Sequence, residues 1–323
     1  MKNEKLVSIA MCTYNGEKFL KEQLDSILAQ SYKNIELIIT DDCSTDRTIN
    51  ILDQYQKSDS RIKLFQNEKN LGFTKNFEKA ISLCSGDFIA LSDQDDIWKL
   101  NKIEKFVEEI GINILIYSDA TLIDHMSKEI GKELIRNANN LCKGHCNRAF
   151  LLNNFVSGNT LMFNKSLTKY ILPIPEKISY HDIWIAFVSS TYGTITYTDE
   201  SMTYYRRYPE QVTHSEKVRH KSFIKKQRYK KQELIERYQI RANDLESFLS
   251  LAILKNKETV NIIENLIWQF RNHTHIYFNK KLYSLLKKYD TDIFESMKKE
   301  NRNKFIRRYS IGLKLRILAF FKI

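Results

Sequence analysis

Proline and glycine are scarce in this chain, with three prolines and nine glycines among 323 residues. That excludes collagen-like and low-complexity architectures. The prolines are Pro173, Pro175 and Pro209, so nothing after residue 209 interrupts a helix on that account. The five cysteines (Cys12, Cys43, Cys84, Cys142, Cys146) are too few and too irregular for a disulfide framework. Reduced thiols suit the cytosol. Cys142, His145 and Cys146 lack the second ligand pair of a zinc site. No apolar run approaches 18 residues, so no transmembrane helix is expected. The start, MKNEKLVSIAMC, has no signal-peptide h-region before its first strand-like segment. Both the dinucleotide fingerprint G-x-G-x-x-G and the P-loop are missing. A phosphate would have to be held by a metal, by basic side chains such as Lys75, or by backbone.

What the chain does have is a core and an uneven charge. Apolar residues make up 42% and aromatics 12%, enough for a sizeable interior. The net charge of +12 belongs to the last third. Residues 216–323 hold 26 Lys and Arg against 11 Asp and Glu, whereas residues 1–215 hold 25 against 28. A basic region on a near-neutral body points to an anionic partner surface, nucleic acid or membrane; drift in a chain rich in Lys, Asn and Ile is the alternative.

The first 117 residues alternate between strand and helix patterns. Strands are expected at 6–12, 35–40, 62–66, 87–92 and 113–119. Between them Leu20, Leu24, Ile27 and Leu28, then Ile49 and Leu52, then Phe73, Phe77, Ala80 and Ile81 recur at helical spacing. A further helix is expected near Lys99–Glu109. This alternation implies a mostly parallel sheet covered on both faces, with ligands bound at the carboxyl ends of its strands. Three polar clusters, MCTYNG, TDDCSTD and SDQDD, fall at those ends. Residues 120–215 read as mixed strands and loops, and residues beyond 216 as helices. The division expected is therefore 1–215 and a basic, mostly helical 216–323.

LSDQDDIW places Asp93, Asp95 and Asp96 directly after a buried strand. Oxygen-only ligands on a loop suit Mg2+ or Mn2+, and an acidic loop capping the next helix is the plainer reading. His214 is a candidate third ligand, as well as an ordinary surface histidine. Asp41 and Asp42 are suited to accept a ribose hydroxyl or the N3–H of a pyrimidine, while Ser44, Thr45 and Asp46 also fit an Asx turn and helix cap. In SYHDIWIAF, Asp182 is suited to general-base work and Trp184 to stacking on a sugar. A capping Asp that begins a core helix with a buried Trp fits the same letters.

Together VSIAMCTYNGEKFLKEQLDSILAQSY, IELIITDDCSTDRT, NLGFTKNFEKAI, SGDFIALSDQDDIW and YHDIWIAF resemble, in order and spacing, the inverting nucleotide-sugar glycosyltransferases of family 2. The resemblance covers roughly residues 6–215. It implies the A-type glycosyltransferase fold, here a Rossmann-like, mixed, mostly parallel sheet carrying a C-terminal helical extension. The SDQDDIW and HDxW forms look most like rhamnosyltransferase-type members that act on bacterial cell-surface polysaccharides. The resemblance further implies that Thr13, Asn15, Asp41, Asp42, Lys75 and Asn76 bind the donor. Asp93 would contact ribose or metal, Asp95 would ligate Mg2+ or Mn2+, and Asp182 would be the base, with His181 and Trp184 on the acceptor side. Two departures stand out. Lys75 replaces a common Arg, and Tyr208 stands where many relatives have a histidine, which leaves the phosphate contacts open among Lys75, Arg206, Arg207 and His214. These departures keep alive a catalytically inactive nucleotide-sugar-binding protein. The expected partners are a dTDP- or UDP-sugar and a saccharide acceptor, free or lipid-linked. Nucleic acid is not among them, because the basic region lacks a stacking motif. An oligomer remains possible. The stretch 303–323, in which Phe305, Ile306 and Tyr309 are interspersed with Arg307 and Arg308, is expected to lie on the inner face of the plasma membrane, with packing inside the protein as the alternative.

Overall fold

The computed structural model describes residues 4–136, 140–208, 223–272 and 278–310, with backbone only for 223–234. Its strands are β1 (Val7–Thr13), β2 (Ile35–Asp41), β3 (Ile62–Gln66), β4 (Phe88–Ser92), β5 (Ile97–Trp98), β6 (Leu115–Tyr117), β7 (Ala120–Ile123), β8 (Glu129–Glu133), β9 (Leu161–Asn164), β10 (Ile195–Tyr197) and β11 (Thr203–Arg206). The helices are α1 (Leu20–Leu28), α2 (Thr48–Ser58), α3 (Phe73–Leu83), α4 (Lys102–Glu109), α5 (Thr168–Ile171), α6 (His181–Tyr192), α7 (Phe223–Leu249), α8 (Lys257–Arg271), α9 (Lys280–Lys288), α10 (Asp290–Ile293) and α11 (Lys299–Ser310).

Seven strands form the main sheet in the order β10-β6-β9-β4-β1-β2-β3. The β1–β2, β2–β3, β1–β4 and β6–β10 pairs are parallel. β9 runs antiparallel between β4 and β6. The sheet is the mixed, mostly parallel one that the alternating pattern implies. β1 and β2 are buried along almost their whole length because both faces are covered. Their side chains sort by the two-residue period. Val7, Ile9, Met11, Leu37 and Ile39 pack with Leu20, Leu24, Leu52 and Phe106 of α1, α2 and α4. Ala10, Ile38, Ile89 and Leu91 share the opposite cluster with Phe77, Ala80 and Ile81 of α3 and with α6.

Two features differ from expectation. Helix α4 starts at Lys102 rather than near Lys99, because Ile97 and Trp98 pair with β11 in a small second sheet, β5-β11-β7-β8. Two residues are too short a run for a periodicity signal. The helices after residue 222 also share one hydrophobic cluster with α6: Phe248 of α7 stacks on Phe187 at 3.9 Å. Ile306 of α11 is buried in the same cluster, and Phe305 and Tyr309 pack against it half-buried, which favours packing within the protein for these three. The remainder of the basic stretch, 311–323, lies outside the described residues. Among the described residues no helix is long and apolar enough to cross a membrane.

Glu36 locks the start of β2. Its Oε1 accepts from Ser8 Oγ (2.5 Å), Ser85 N (2.7 Å) and Ser85 Oγ (2.7 Å), and its Oε2 from Lys63 Nζ (2.8 Å). Burial works to raise its pKa, but Lys63, Ser8 and Ser85 outweigh it and bring the carboxyl to about 2. The ionised form is therefore stabilised by folding at any pH above the usual carboxylate range, and the gain fades as pH falls toward 2. We predict that Glu36→Gln costs about 1.5–3 kcal/mol at pH 7. Denaturant melts should find that gap narrowing steadily below pH 4; a gap independent of pH would refute the assignment.

Candidate active site at the strand ends

Three turns meet at the carboxyl ends of β1, β2 and β4. The turn after β1 places Asn15 at φ 47°, a left-handed conformation that Asn tolerates. The Asn15 Oδ1 accepts from Thr45 N (2.8 Å), and Ser44 Oγ accepts from Asn15 N (2.9 Å). Gln94 pins this turn to the acidic one: its Oε1 accepts from Tyr14 N (2.8 Å) and its Nε2 donates to Tyr14 O (2.9 Å). Gly16 is needed beneath it, since a Cβ there would fall 2.3 Å from Gln94 Oε1.

The carboxylates of Asp41 and Asp42 point into the turns. Asp41 accepts from Thr13 Oγ1 (2.8 Å), Ser44 N (2.9 Å) and Ser44 Oγ (2.5 Å). Asp42 accepts from Asn67 Nδ2 (2.8 Å), Leu71 N (2.7 Å) and Gly72 N (2.8 Å), holding the NLG loop against β2. Asp46 accepts from Thr48 N and Glu17 N in an Asx-type turn, while the cap position of α2 is Arg47, without a side-chain cap bond. Asn76 is buried and donates to Thr40 O (2.9 Å), while its Oδ1 accepts from Asn67. Lys75 bonds Glu78 (2.8 Å) and Ile174 O (3.1 Å). Thr13, Asp41, Asp42 and Asn76 thus shape the rim through contacts within the protein, and Asn15 is exposed on it.

The acidic turn after β4 rests on buried cations. Lys102 is fully buried; its Nζ donates to Asn159 O (2.6 Å) and Thr203 Oγ1 (3.0 Å) and lies 3.6 Å from the Trp98 ring centroid. Arg206 is also fully buried and donates to Asp95 O (2.8 Å), Ser127 Oγ (2.9 Å) and Glu22 Oε2 (2.8 Å). Asp96 is turned inward, accepting from Arg206 N (3.0 Å) and from the Asn159 amide. Burial raises Asp96 well above the carboxylate range, with Asp95 and Asp93 adding to it. Burial likewise depresses Lys102, opposed by Asp96 and Asp93. Asp93 is half-buried, and burial, Asp95 and Asp182 push it up to about 7. The Asp95 Oδ2 accepts from Tyr208 Oη at 2.7 Å, and the tyrosine ring lies against Phe19. Burial and Asp95 raise the Tyr208 phenol, so it stays a donor at every working pH.

Asp182 enters from α6, in its first turn. Its Oδ1 accepts from Ile183 N (2.6 Å) and Asn154 Nδ2 (3.0 Å). Burial raises it to about 6 against those hydrogen bonds. It sits near enough to Asp93 for its charge to be felt there. Asp95 and Asp182, two further candidates, thus both act on Asp93.

The acceptor-side expectation for Trp184 and His181 fails. Trp184 is 3% exposed, bonds Ile171 O through Nε1 (2.9 Å) and lies parallel to Phe248 in the core. His181 is buried, stacked on Phe77 at 4.1 Å with both ring nitrogens unpartnered, and burial lowers it to about 3. Every α6 residue from Ile183 to Ser190 is buried, so an aromatic there packs instead of projecting. Arg206 is too deep to meet a phosphate. His214 lies outside the described residues. Sequence reasoning missed Asn154, Asn159 and Lys102. Only Lys102 left a trace, since it lies four residues before Phe106 on the apolar face of α4.

Among the described residues no three His, Cys, Asp or Glu side chains form a ready-made metal cluster. A hard cation that bridges to phosphate needs only one or two carboxylates, and Asp93 and Asp95 supply oxygen donors of that kind.

The sequence pattern of Glycosyl transferase family 2 matches residues 8–171, half of the chain. The chain belongs to that family. It is 45% identical over 100 residues to the UDP-Glc:alpha-D-GlcNAc-diphosphoundecaprenol beta-1,3-glucosyltransferase WfgD of Escherichia coli, covering 31% of this chain and 38% of that protein. It is 41% identical over 108 residues to the dTDP-rhamnosyl transferase RfbG of Shigella flexneri, covering 32% and 37%. The chain spans less than half the length of these curated relatives. The fold is shared with S. aureus TarS 1-349 in complex with UDP-GlcNAc, at a TM-score of 0.61 and 17% identity over 96% of this chain and 89% of that one. It is also shared with the mannosyltransferase PcManGT of Pyrobaculum calidifontis in complex with GDP-Man and Mn2+, at a TM-score of 0.53 and 12% identity over 98% and 88%. The mixed sheet is thus the A-type glycosyltransferase fold.

Asp182 has a stability signature. With its folded pKa raised to about 6, its charge costs stability that is intact below the usual carboxylate range and lost as pH climbs through 6. Asp182→Asn should therefore raise stability by about 1–3 kcal/mol at pH 8 and leave it unchanged near pH 4. Thermal melts at the two pH values check this, and a variant destabilised at both would contradict the buried-charge account.

Proposed function

We propose that this family 2 protein is an inverting glycosyltransferase. It would move a sugar from a dTDP- or UDP-sugar to a saccharide hydroxyl in bacterial cell-surface polysaccharide assembly. What supports the reading is the buried Asp182 carboxyl, raised to about 6 and held by Asn154 and Ile183 N, together with the electrostatic reach of Asp95 and Asp182 to Asp93. A base of that pKa is ionised at neutral pH yet still takes a proton readily.

The nucleoside lies along the strand-end turns, bordered by Thr13, Asn15, Asp41 and Asp42, and an Asp at the base accepts a pyrimidine N3–H. Asp95 and Asp93 would hold Mg2+ or Mn2+ against the diphosphate, and the bound ion supplies charge neutralisation for the leaving group. Asp182, held by Asn154 and Ile183 N, takes the proton of the acceptor hydroxyl. The oxygen attacks the anomeric carbon as the bond to the nucleoside diphosphate breaks, inverting that centre. Tyr208 orients Asp95 through its hydrogen bond. A rhamnosyl donor is favoured by the likeness to RfbG and by the SDQDDIW stretch. Membrane-peripheral placement rests on the basic residues beyond 310, and residues 1–215 are proposed as the catalytic region.

The test is transfer from a panel of dTDP- and UDP-sugars with Mn2+. Asp182→Asn should keep donor binding and lose at least 10²-fold in rate. Asp95→Ala should lose both metal-dependent binding and transfer. Wild-type rates should fall about tenfold per pH unit below 6, as the base protonates. Full activity in either variant sinks the reading; nucleotide binding with no transfer to any acceptor favours the inactive binding protein.

A further inference from the structure

A cavity of about 570 Å3 lies between the start of α6 and the helices α7 and α11. Asp182 and Tyr180 open onto it from the α6 side. The long helix α7 contributes Arg237 and Arg241, four residues apart and so on one face, and α11 contributes Arg308. Among the described residues the lining holds three guanidinium groups, of which Arg241 is paired with Asp244, and one carboxylate, Asp182. Its volume is that of a small-molecule site. The arginines are placed by the fold. Buried Asp244 accepts from Ser179 N (2.8 Å) and Ser179 Oγ (3.1 Å) and pairs with Arg241 at 3.5 Å, tying α7 to the segment that leads into Asp182. Helix α11 is seated by buried Ile306 and Ser310 on either side of Arg308. A planar guanidinium matches the two oxygens of a phosphate or carboxylate, and Tyr180 and Tyr309 add aromatic surface for a sugar ring.

We propose that this cavity is the acceptor subsite and that it takes a saccharide bearing an oxyanion, a phosphate ester or a carboxylate, recognised by Arg237, Arg241 and Arg308. The inference rests on Asp182 being the base that faces the acceptor. It makes the basic C-terminal helices a specificity element. The attacking hydroxyl is neutral, but its carrier is not, so a neutral sugar of the same shape would be a poor acceptor.

The experiment is calorimetric titration of glucose, glucuronate and glucose 1-phosphate into the full chain, with and without saturating UDP and Mn2+. Wild-type protein should bind both anions at least tenfold more tightly than glucose, with UDP present. Whichever anion binds more tightly identifies the acceptor group. Arg237→Gln combined with Arg308→Gln should erase the preference while UDP binding and the melting temperature stay unchanged. The paired Lys substitutions should keep part of it. Arg241 is left intact because its pairing with Asp244 supports the fold. Equal binding of all three sugars, or a preference that survives the glutamine pair, overturns the proposal. Failure of UDP to bind, with the anion preference present and lost in the glutamine pair, would overturn the donor reading and leave the anion subsite standing.

Discussion

The structure depends on how three carboxylates can crowd one turn at the end of a buried strand. Two unit charges 4 Å apart cost about 4 kcal/mol at the effective dielectric of a protein surface. Asp93, Asp95 and Asp96 cannot meet that cost unaided. The fold answers by burying Lys102 where it acts on Asp93, by holding the Asp95 carbonyl on the Arg206 guanidinium, which pairs with Glu22, and by turning Asp96 inward onto Asn159 and the Arg206 backbone. Those contacts require β11 beside β5 and the Gly158–Thr160 turn close by, which accounts for the small second sheet. Asp93 and Asp95 are left half-buried as oxygen donors, and a bound cation would favour the ionised form of the raised Asp93.

The sheet was legible because its physics is repetitive. β1, β2, β3 and β4 fall within a residue of their expected positions, since short segments rich in apolar and β-branched residues bounded by polar turns mark each of them. Asp93, Asp95 and Asp182 were singled out by the ordered motifs of the family 2 resemblance, since an acidic turn or a capping Asp ahead of an apolar helix is common by itself. Trp184 and His181 were misread for one reason: proximity in sequence to Asp182 does not set direction on a helix, and α6 is buried almost all round. Asp41, Asp42 and Asn76 carry local hydrogen bonds that motif reading does not encode. β5 was invisible because its pairing partner lies more than 100 residues away.

The C-terminal helices couple stability to the site. Charge counting marked them as a basic region; packing makes Phe248, Phe270 and Ile306 part of the core beneath α6. Helix α6 carries both Asp182, in its first turn, and Phe187, which stacks on Phe248 of α7. That continuity brings α7 and α11 within reach of Asp182, where an acceptor would have to enter.

The most direct test of the account is the position of a divalent cation in crystals grown with UDP or dTDP and Mn2+. The account predicts an anomalous manganese peak within coordination distance, about 2.0–2.2 Å, of an Asp95 or Asp93 carboxylate oxygen and of the diphosphate. The nucleoside should then lie along the turns after β1 and β2, and Asp182 should remain metal-free. A manganese peak elsewhere, or a nucleotide bound away from these strand ends, would contradict it.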